Sequence, residues 1–143
     1  MGRLALVSMG KRDGRRGLEL VEFALIVPLL MLLTMGILEY GWLFIKQHET
    51  GRAARGGVRK AVLPFTTNDE VLAVIDATMS ASRMAESGYT VTLTPSDVSL
   101  PYPSDIVTVE VSVPYENITL MGLPFIPVPT NLRSSASMAK EGP

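Results

Sequence analysis

The sequence predicts an α+β fold: a long N-terminal transmembrane helix, then a small domain with one helix packed on an antiparallel sheet of about three strands. Three features lead to this prediction. A charge-free apolar run extends from Phe23 to Leu38, a second helical pattern occupies residues 67–84, and apolar residues alternate with polar ones between residues 89 and 139. A long apolar run indicates a membrane helix, whereas alternation with a period of two indicates half-buried strands.

The apolar run has the length and the flanks of a membrane helix. Residues 23–38 cover about 24 Å at ~1.5 Å per residue, and the apolar character extends over residues 18–45. A buried core helix is one alternative, but so short a chain cannot surround it on all sides. A cleaved secretory signal is another, but no A-x-A site follows the run. Interfacial aromatic residues follow instead, namely Tyr40, Trp42 and Phe44.

The charges are distributed unevenly along the chain. Residues 1–17 contain five basic residues and one acidic residue, a net charge of +4, and the whole chain carries −1, so residues 18–143 carry −5. A basic segment before a membrane helix is expected on the cytoplasmic side. The near-neutral total gives no electrostatic footprint for nucleic acid. The absence of cysteine excludes disulfides, thiolate metal sites and cysteine nucleophiles.

The junction between the basic segment and the apolar run reads RRG–LELVEFALIVPLL. It resembles a type IV prepilin processing site, which implies that Gly17 ends a leader peptide, that Leu18 begins the mature chain and that Glu22 is its fifth residue. Glycine allows an extended backbone to enter a protease site closely. The leader, residues 1–17, would be held at the cytoplasmic face by its basic residues, which near the junction are Lys11, Arg12, Arg15 and Arg16.

Glu22 is costly at the edge of a membrane helix, because a carboxylate at the bilayer centre costs ~2.5–3.5 kcal/mol, although less near the interface. The resemblance implies that it pairs with the α-amine of Leu18 in a neighbouring subunit. Glu19 lies three residues away on the same helix face and could compete for this role. Alternatively, both glutamates lie in the headgroup layer, where the helix dipole favours them.

A wider resemblance extends from residue 17 to residue 61. The stretch LVEFALIVPLLMLLTMGILEYG, with Pro28 early in the helix and Glu39-Tyr40-Gly41 at its end, and the later ARGGVRKA are similar to the TadE-like family of the tight-adherence (Tad) pilus machinery. This resemblance implies a minor pilin or pseudopilin that is cleaved by prepilin peptidase and needed for pilus assembly. Its implied filament-packing or assembly residues are Glu19, Glu22, Phe23, Pro28, Glu39, Tyr40 and Gly41.

The same resemblance sets the expected location and partners. The helix would lie in the bacterial inner membrane with the C-terminal domain outside, and the subunit could later enter an extracellular pilus. The partners would be the membrane, prepilin peptidase, other pilin-like subunits and Tad assembly-platform proteins. An unprocessed bitopic anchor, whose outer domain binds a partner of a secretion or envelope complex, is the alternative.

Residues 18–63 are expected to form the transmembrane and extended N-terminal helix, and residues 64–143 the extracytoplasmic domain. In the extended helix, Arg52, Arg55 and Arg59 form a basic face beside an apolar face with Ala54 and Val58. Thr67 and Asn68 are cap candidates for the second helix. The predicted strands lie at residues 89–93, 107–113 and 132–139, and the apolar loop 123–129 and the strand edges are expected subunit contacts.

No pattern in the sequence indicates catalysis. His48 is the only histidine, and no catalytic triad, metal-ligand spacing or phosphate-binding glycine loop can be identified. We therefore expect a protein that is not an enzyme, has no cofactor and does not bind nucleic acid.

Overall fold

The computed structural model describes residues 13–99 and 105–141. It confirms the α+β prediction, with a long N-terminal helix, a second helix and a three-stranded antiparallel sheet. The elements are α1 (Asp13–Ala61), α2 (Asn68–Ala81), β1 (Thr90–Thr94), β2 (Ile106–Pro114), a 3₁₀ turn (Tyr115–Asn117) and β3 (Asn131–Ala139). The chain divides into two compact units, residues 1–37 and 38–143.

In the first unit, the described residues form the N-terminal part of α1. Its apolar side chains are exposed, as expected for a helix whose surroundings would be lipid. Pro28 lies inside the helix and has no backbone N–H to donate. The hydroxyl of Thr34 donates to the Leu30 carbonyl at 2.8 Å, so this polar side chain is bonded to the helix itself. Helix α1 from Gly17 onwards is long and apolar enough to cross a membrane. This supports the anchoring that the sequence predicts.

In the second unit, β2 is the central strand of a sheet with the order β1-β2-β3. Both neighbours are antiparallel to it, with Val111 of β2 opposite Val91 on one side and Ser134 on the other. Alternate residues of β2 are fully buried and form the middle of the core: Val107, Val109, Val111 and Val113. Each buried valine contributes about 1.5–3 kcal/mol relative to an exposed one. The alternation seen in the sequence therefore identifies the core strand.

The C-terminal part of α1 packs on α2 and the sheet through its small residues. Ala54 and Val58, on the predicted apolar face, are buried, whereas the basic face of this helix is exposed. A Cβ atom added at Gly57 would lie 2.8 Å from Cδ1 of Ile75 in α2 and 3.3 Å from Cγ1 of Val109 in β2. Gly57 thus allows a closer approach of three elements than any side chain would.

Helix α2 begins as predicted but ends earlier. The Thr67 hydroxyl caps it by accepting from the Glu70 N–H at 3.5 Å. The sequence pattern extended this helix to about Met84, which is wrong: the helix ends at Ala81, and Arg83 adopts a positive φ of 56° that stops the helical hydrogen-bonding pattern. Met84 is nevertheless buried, so the apolar pattern continues beyond the helix.

The end of β3 fastens the C-terminus of α1. The Lys140 ammonium group is buried and donates to the carbonyls of Ala61, at 2.9 Å, and Val98, at 2.7 Å. The N–H of Glu141 donates to the Val62 carbonyl at 2.9 Å. The last carbonyls of a helix lack partners within the helix, and a cation there is favourable. These bonds hold the last turn of α1 against the sheet.

Candidate functional site

The residues of the predicted processing site lie on the exposed N-terminal part of α1. Lys11 and Arg12 lie outside the described residues, and Arg15 and Arg16 belong to the helix. Exposed positions on the same helix hold Gly17, Leu18, Glu19, Glu22, Phe23 and Pro28. Nothing lies within 4 Å of a Cβ atom added at Gly17, so the chain itself does not require glycine there. The assigned roles of these residues remain predictions.

Leu18 and Glu22 are four residues apart on one continuous helix. This spacing places them on the same face, about 6 Å apart along the axis at ~1.5 Å per residue. Glu19 is separated from Glu22 by three residues and shares part of that face. Among the side chains of residues 17–99 and 105–141, no ion pair includes Glu22.

Glu39 is the one predicted assembly residue that the fold buries, with 1% of its surface exposed. Its Oε1 atom accepts from the Tyr115 hydroxyl at 2.7 Å, from the Thr119 hydroxyl and from the Leu120 N–H at 3.4 Å. Its Oε2 atom accepts from the Met121 N–H at 3.0 Å. We call this carboxylate and its four donors the Glu39 node.

The node suits a carboxylate, which accepts hydrogen bonds but does not donate them. Hydrogen bonds to a charged acceptor are worth about 1.5–3 kcal/mol each, more than those between neutral groups. Burial and the neighbouring Glu39 carboxylate raise the pKa of Tyr115 well above its usual range, so its hydroxyl remains a donor. The node therefore compensates the cost of burying the Glu39 charge next to an apolar helix segment.

Further bonds attach the same loop, residues 115–130, to the adjacent turn of α1. The Tyr115 N–H donates to the Thr130 carbonyl at 2.9 Å, which closes the loop at its base. The indole N–H of Trp42 donates to the Ile118 carbonyl at 2.6 Å, and the Tyr40 hydroxyl donates to the Pro127 carbonyl at 2.7 Å. The loop borders an open groove of about 790 Å³ that has Glu39 and Tyr115 among its lining residues.

Several of these contacts could not be found from the sequence. The spacing of Tyr40 and Trp42 indicated an aromatic belt, and their polar atoms are in fact bonded to the chain's own loop. Lys46, which follows these aromatic residues, is buried; its ammonium group donates to the Ser82 carbonyl at 3.0 Å and lies 4.7 Å from the Trp42 ring centre. The only available signal for the node was an isolated glutamate at the end of an apolar run. Gly41, the remaining residue of the predicted set, is exposed on α1.

The geometry defines a class of protein: an N-terminal apolar helix that continues into a small α+β domain, with a buried carboxylate where the charge-free segment ends. Residues 17–59, less than a third of the chain, match the family model described as TadE-like protein, the family that the sequence resembles. The match associates the chain with the Tad pilus as a pilin-like protein, and its apolar helix with a membrane. No curated protein and no solved structure gives a significant match.

Proposed function

We propose that this chain is a minor pilin-like subunit, a pseudopilin, needed for assembly of a Tad/Flp-type pilus. Prepilin peptidase cleaves it between Gly17 and Leu18, and α1 anchors the product in the bacterial inner membrane with the domain outside. The subunit then interacts with other pilin-like subunits and the assembly platform. It acts through these contacts and is not an enzyme.

The observation that carries the proposal is the junction at Gly17. The TadE-like match begins at this residue and continues along α1 to residue 59, and the exposed Leu18 and Glu22 follow one turn apart. An exposed, continuous helix with a carboxylate near its start can exchange lipid neighbours for the helices of other subunits. Such an exchange favours a partner for the charge, because the apolar surroundings solvate it poorly.

Cleavage is tested by co-expression of the full chain with an active or an inactivated prepilin peptidase, followed by N-terminal sequencing of the product. We expect a mature chain that begins at Leu18 only with the active peptidase. Gly17→Leu should abolish cleavage, because the peptidase recognises the glycine at the junction. Gly36→Ala is the control and should be cleaved normally. Both positions have open space for a side chain, so neither substitution should disturb the helix. A product that retains its leader up to Gly17 in the presence of active peptidase would contradict the proposal.

The role of Glu22 is tested separately from cleavage. Glu22→Ala should be cleaved normally and yet reduce piliation, because the subunit loses its acceptor for the α-amine of a neighbour. Glu19→Ala is the matched control on the same exposed helix, and it should retain piliation if Glu22 is the partner. Normal piliation in Glu22→Ala would remove the salt-bridge role.

The second candidate is an unprocessed bitopic anchor whose outer domain binds a partner of an envelope complex. It is favoured by the domain's own closed core and the bonds that attach it to α1. Such an anchor keeps its basic leader in the presence of active peptidase, so N-terminal sequencing distinguishes the two functions.

A further inference from the structure

The loop 115–130 carries large apolar side chains on its outer surface. Phe125 is 57% exposed and Leu120 is 47% exposed, and Met121 and Val128 are also exposed. We call these four residues the apolar loop surface. Four large apolar side chains left exposed on one loop of a small domain indicate an interaction surface.

The position of this loop along α1 is defined by its hydrogen bonds. The bonds to the loop come from Glu39, Tyr40 and Trp42, which are one, two and four residues beyond Leu38. Contacts to other parts of the domain come later in the helix: Lys46 contacts the end of α2, and Ala61 contacts the end of β3. The loop is therefore attached to the first residues of α1 that follow the charge-free run.

The rise per residue of α1 gives the distance between the loop's attachment residues and the end of the charge-free run, and from this the depth of those residues in a bilayer. Residues 39–42 lie about 1.5–6 Å beyond Leu38 at ~1.5 Å per residue. The headgroup layer on each side of a bilayer is about 5–8 Å thick, from a total of ~40–45 Å and a hydrocarbon core of ~30 Å. The charge-free run covers about 24 Å, about 6 Å less than the hydrocarbon core, so a run centred in the core ends about 3 Å inside its edge. Residues 39–42, to which the loop is attached, then lie across the boundary between the core and the headgroup layer.

The chemistry of the loop fits that layer. The loop has one charged residue, Glu116, at its start; residues 117–130 contain none, and three of them are prolines, which have no N–H to desolvate. The N–H groups of Leu120 and Met121 are already bonded to Glu39, and that of Gly122 to the Thr119 hydroxyl. Satisfied backbone groups are the main requirement for entering an apolar environment.

We propose that the apolar loop surface inserts into the outer headgroup layer of the membrane that α1 crosses, and that its partner is the lipid bilayer interface. This inference rests on the membrane insertion that the proposed function also requires. The aromatic and aliphatic side chains enter the layer, the Glu39 node holds the backbone of the loop at that level, and the domain is thereby docked on the membrane before assembly.

Fluorescence quenching in reconstituted vesicles tests the proposal on the full chain. The chain contains no cysteine, so single cysteines can be introduced and labelled with an environment-sensitive fluorophore. Phe125→Cys and Val128→Cys report on the loop, Leu30→Cys reports on insertion of α1, and Thr92→Cys on β1 is the exposed control. The vesicles consist of phosphatidylethanolamine and phosphatidylglycerol with a nitroxide placed high or low on the acyl chain.

We expect both loop labels to be quenched most by the shallow nitroxide, the Leu30 label by the deep one, and the Thr92 label by neither. Loop labels that behave like Thr92 while Leu30 is quenched would overturn the loop inference and leave the anchor intact. An unquenched Leu30 label would refute membrane insertion, and the proposed function with it. Loop labels whose emission depends on protein density, without lipid quenching, would identify a second copy as the partner and overturn the proposal.

Discussion

Replacement of Glu39 by alanine tests whether its carboxylate holds the loop 115–130 on α1. The substitution removes the acceptor of all four donors of the node, the hydroxyls of Tyr115 and Thr119 and the N–H groups of Leu120 and Met121. A buried donor without a partner costs about 1–3 kcal/mol. Hydroxyl rotation and entry of water from the adjacent groove reduce the sum over the donors, so we expect a net loss of about 3–5 kcal/mol.

Glu39→Gln is the finer perturbation, because it keeps the shape and removes the charge. The amide oxygen can still accept from the donors at Oε1, but the amide NH₂ then faces the Met121 N–H, so two donors oppose each other. We expect this variant to lose about 1–2 kcal/mol. Alanine should therefore be clearly more destabilising than glutamine.

The assay is urea unfolding of the full chain in detergent micelles, followed by Trp42 fluorescence. Trp42 is the only tryptophan and donates to the loop at Ile118, so its emission reports on loop attachment. At ~2 kcal/mol per molar urea, a loss of about 4 kcal/mol lowers the midpoint by roughly 2 M. Glu116→Ala, an exposed glutamate in the same loop, should change the stability by less than ~0.5 kcal/mol. Equal midpoints for the Glu39 and Glu116 variants would refute the reasoning.

Two further predictions concern the domain core and its pH dependence. Gly57→Ala should destabilise the domain by about 1–3 kcal/mol, because its new methyl group overlaps Ile75. Gly56→Ala meets only ordinary contacts, so the free energy of unfolding should rise by up to ~1 kcal/mol. Similar urea midpoints for the two variants would contradict the close packing at Gly57. Burial, together with the hydrogen bond and the charge of Asp76, raises the pKa of Tyr89 to about 12. The unfolded chain releases this proton near pH ~10, so the contribution is complete below that pH and is lost as the pH rises from about 10 to about 12. Tyr89→Phe should remove the share of this stability loss and of the late phenolate absorbance change that belongs to Tyr89, and the share of Tyr115 should remain. A late absorbance change of unaltered size in Tyr89→Phe would contradict the assignment.

Most of the fold could be predicted because it depends on local periodicity. The alternation of Val107 to Val113 identified the central strand, and the spacing of Ala54 and Val58 identified the packing face of α1. The end of α2 could not be predicted, because residues 82–84 remain compatible with a helix and only the left-handed backbone of Arg83 stops it. The partners of Glu39 are 76–82 residues away in the chain. A hydrogen bond between such distant positions has no periodic signal, so the site required the folded chain.

The glutamates of α1 have different surroundings, although sequence reasoning placed them in one predicted assembly set. Glu39 is surrounded by donors from its own loop, so the fold itself compensates the cost of its charge. Glu22 is exposed, and it has no ion-pair partner among the side chains of residues 17–99 and 105–141. A carboxylate in apolar surroundings favours a partner, and in the proposed function the α-amine of a neighbouring subunit supplies one to Glu22. The two residues therefore have separable expected effects: Glu39 variants should unfold the domain, whereas Glu22 variants should leave it folded and impair assembly alone.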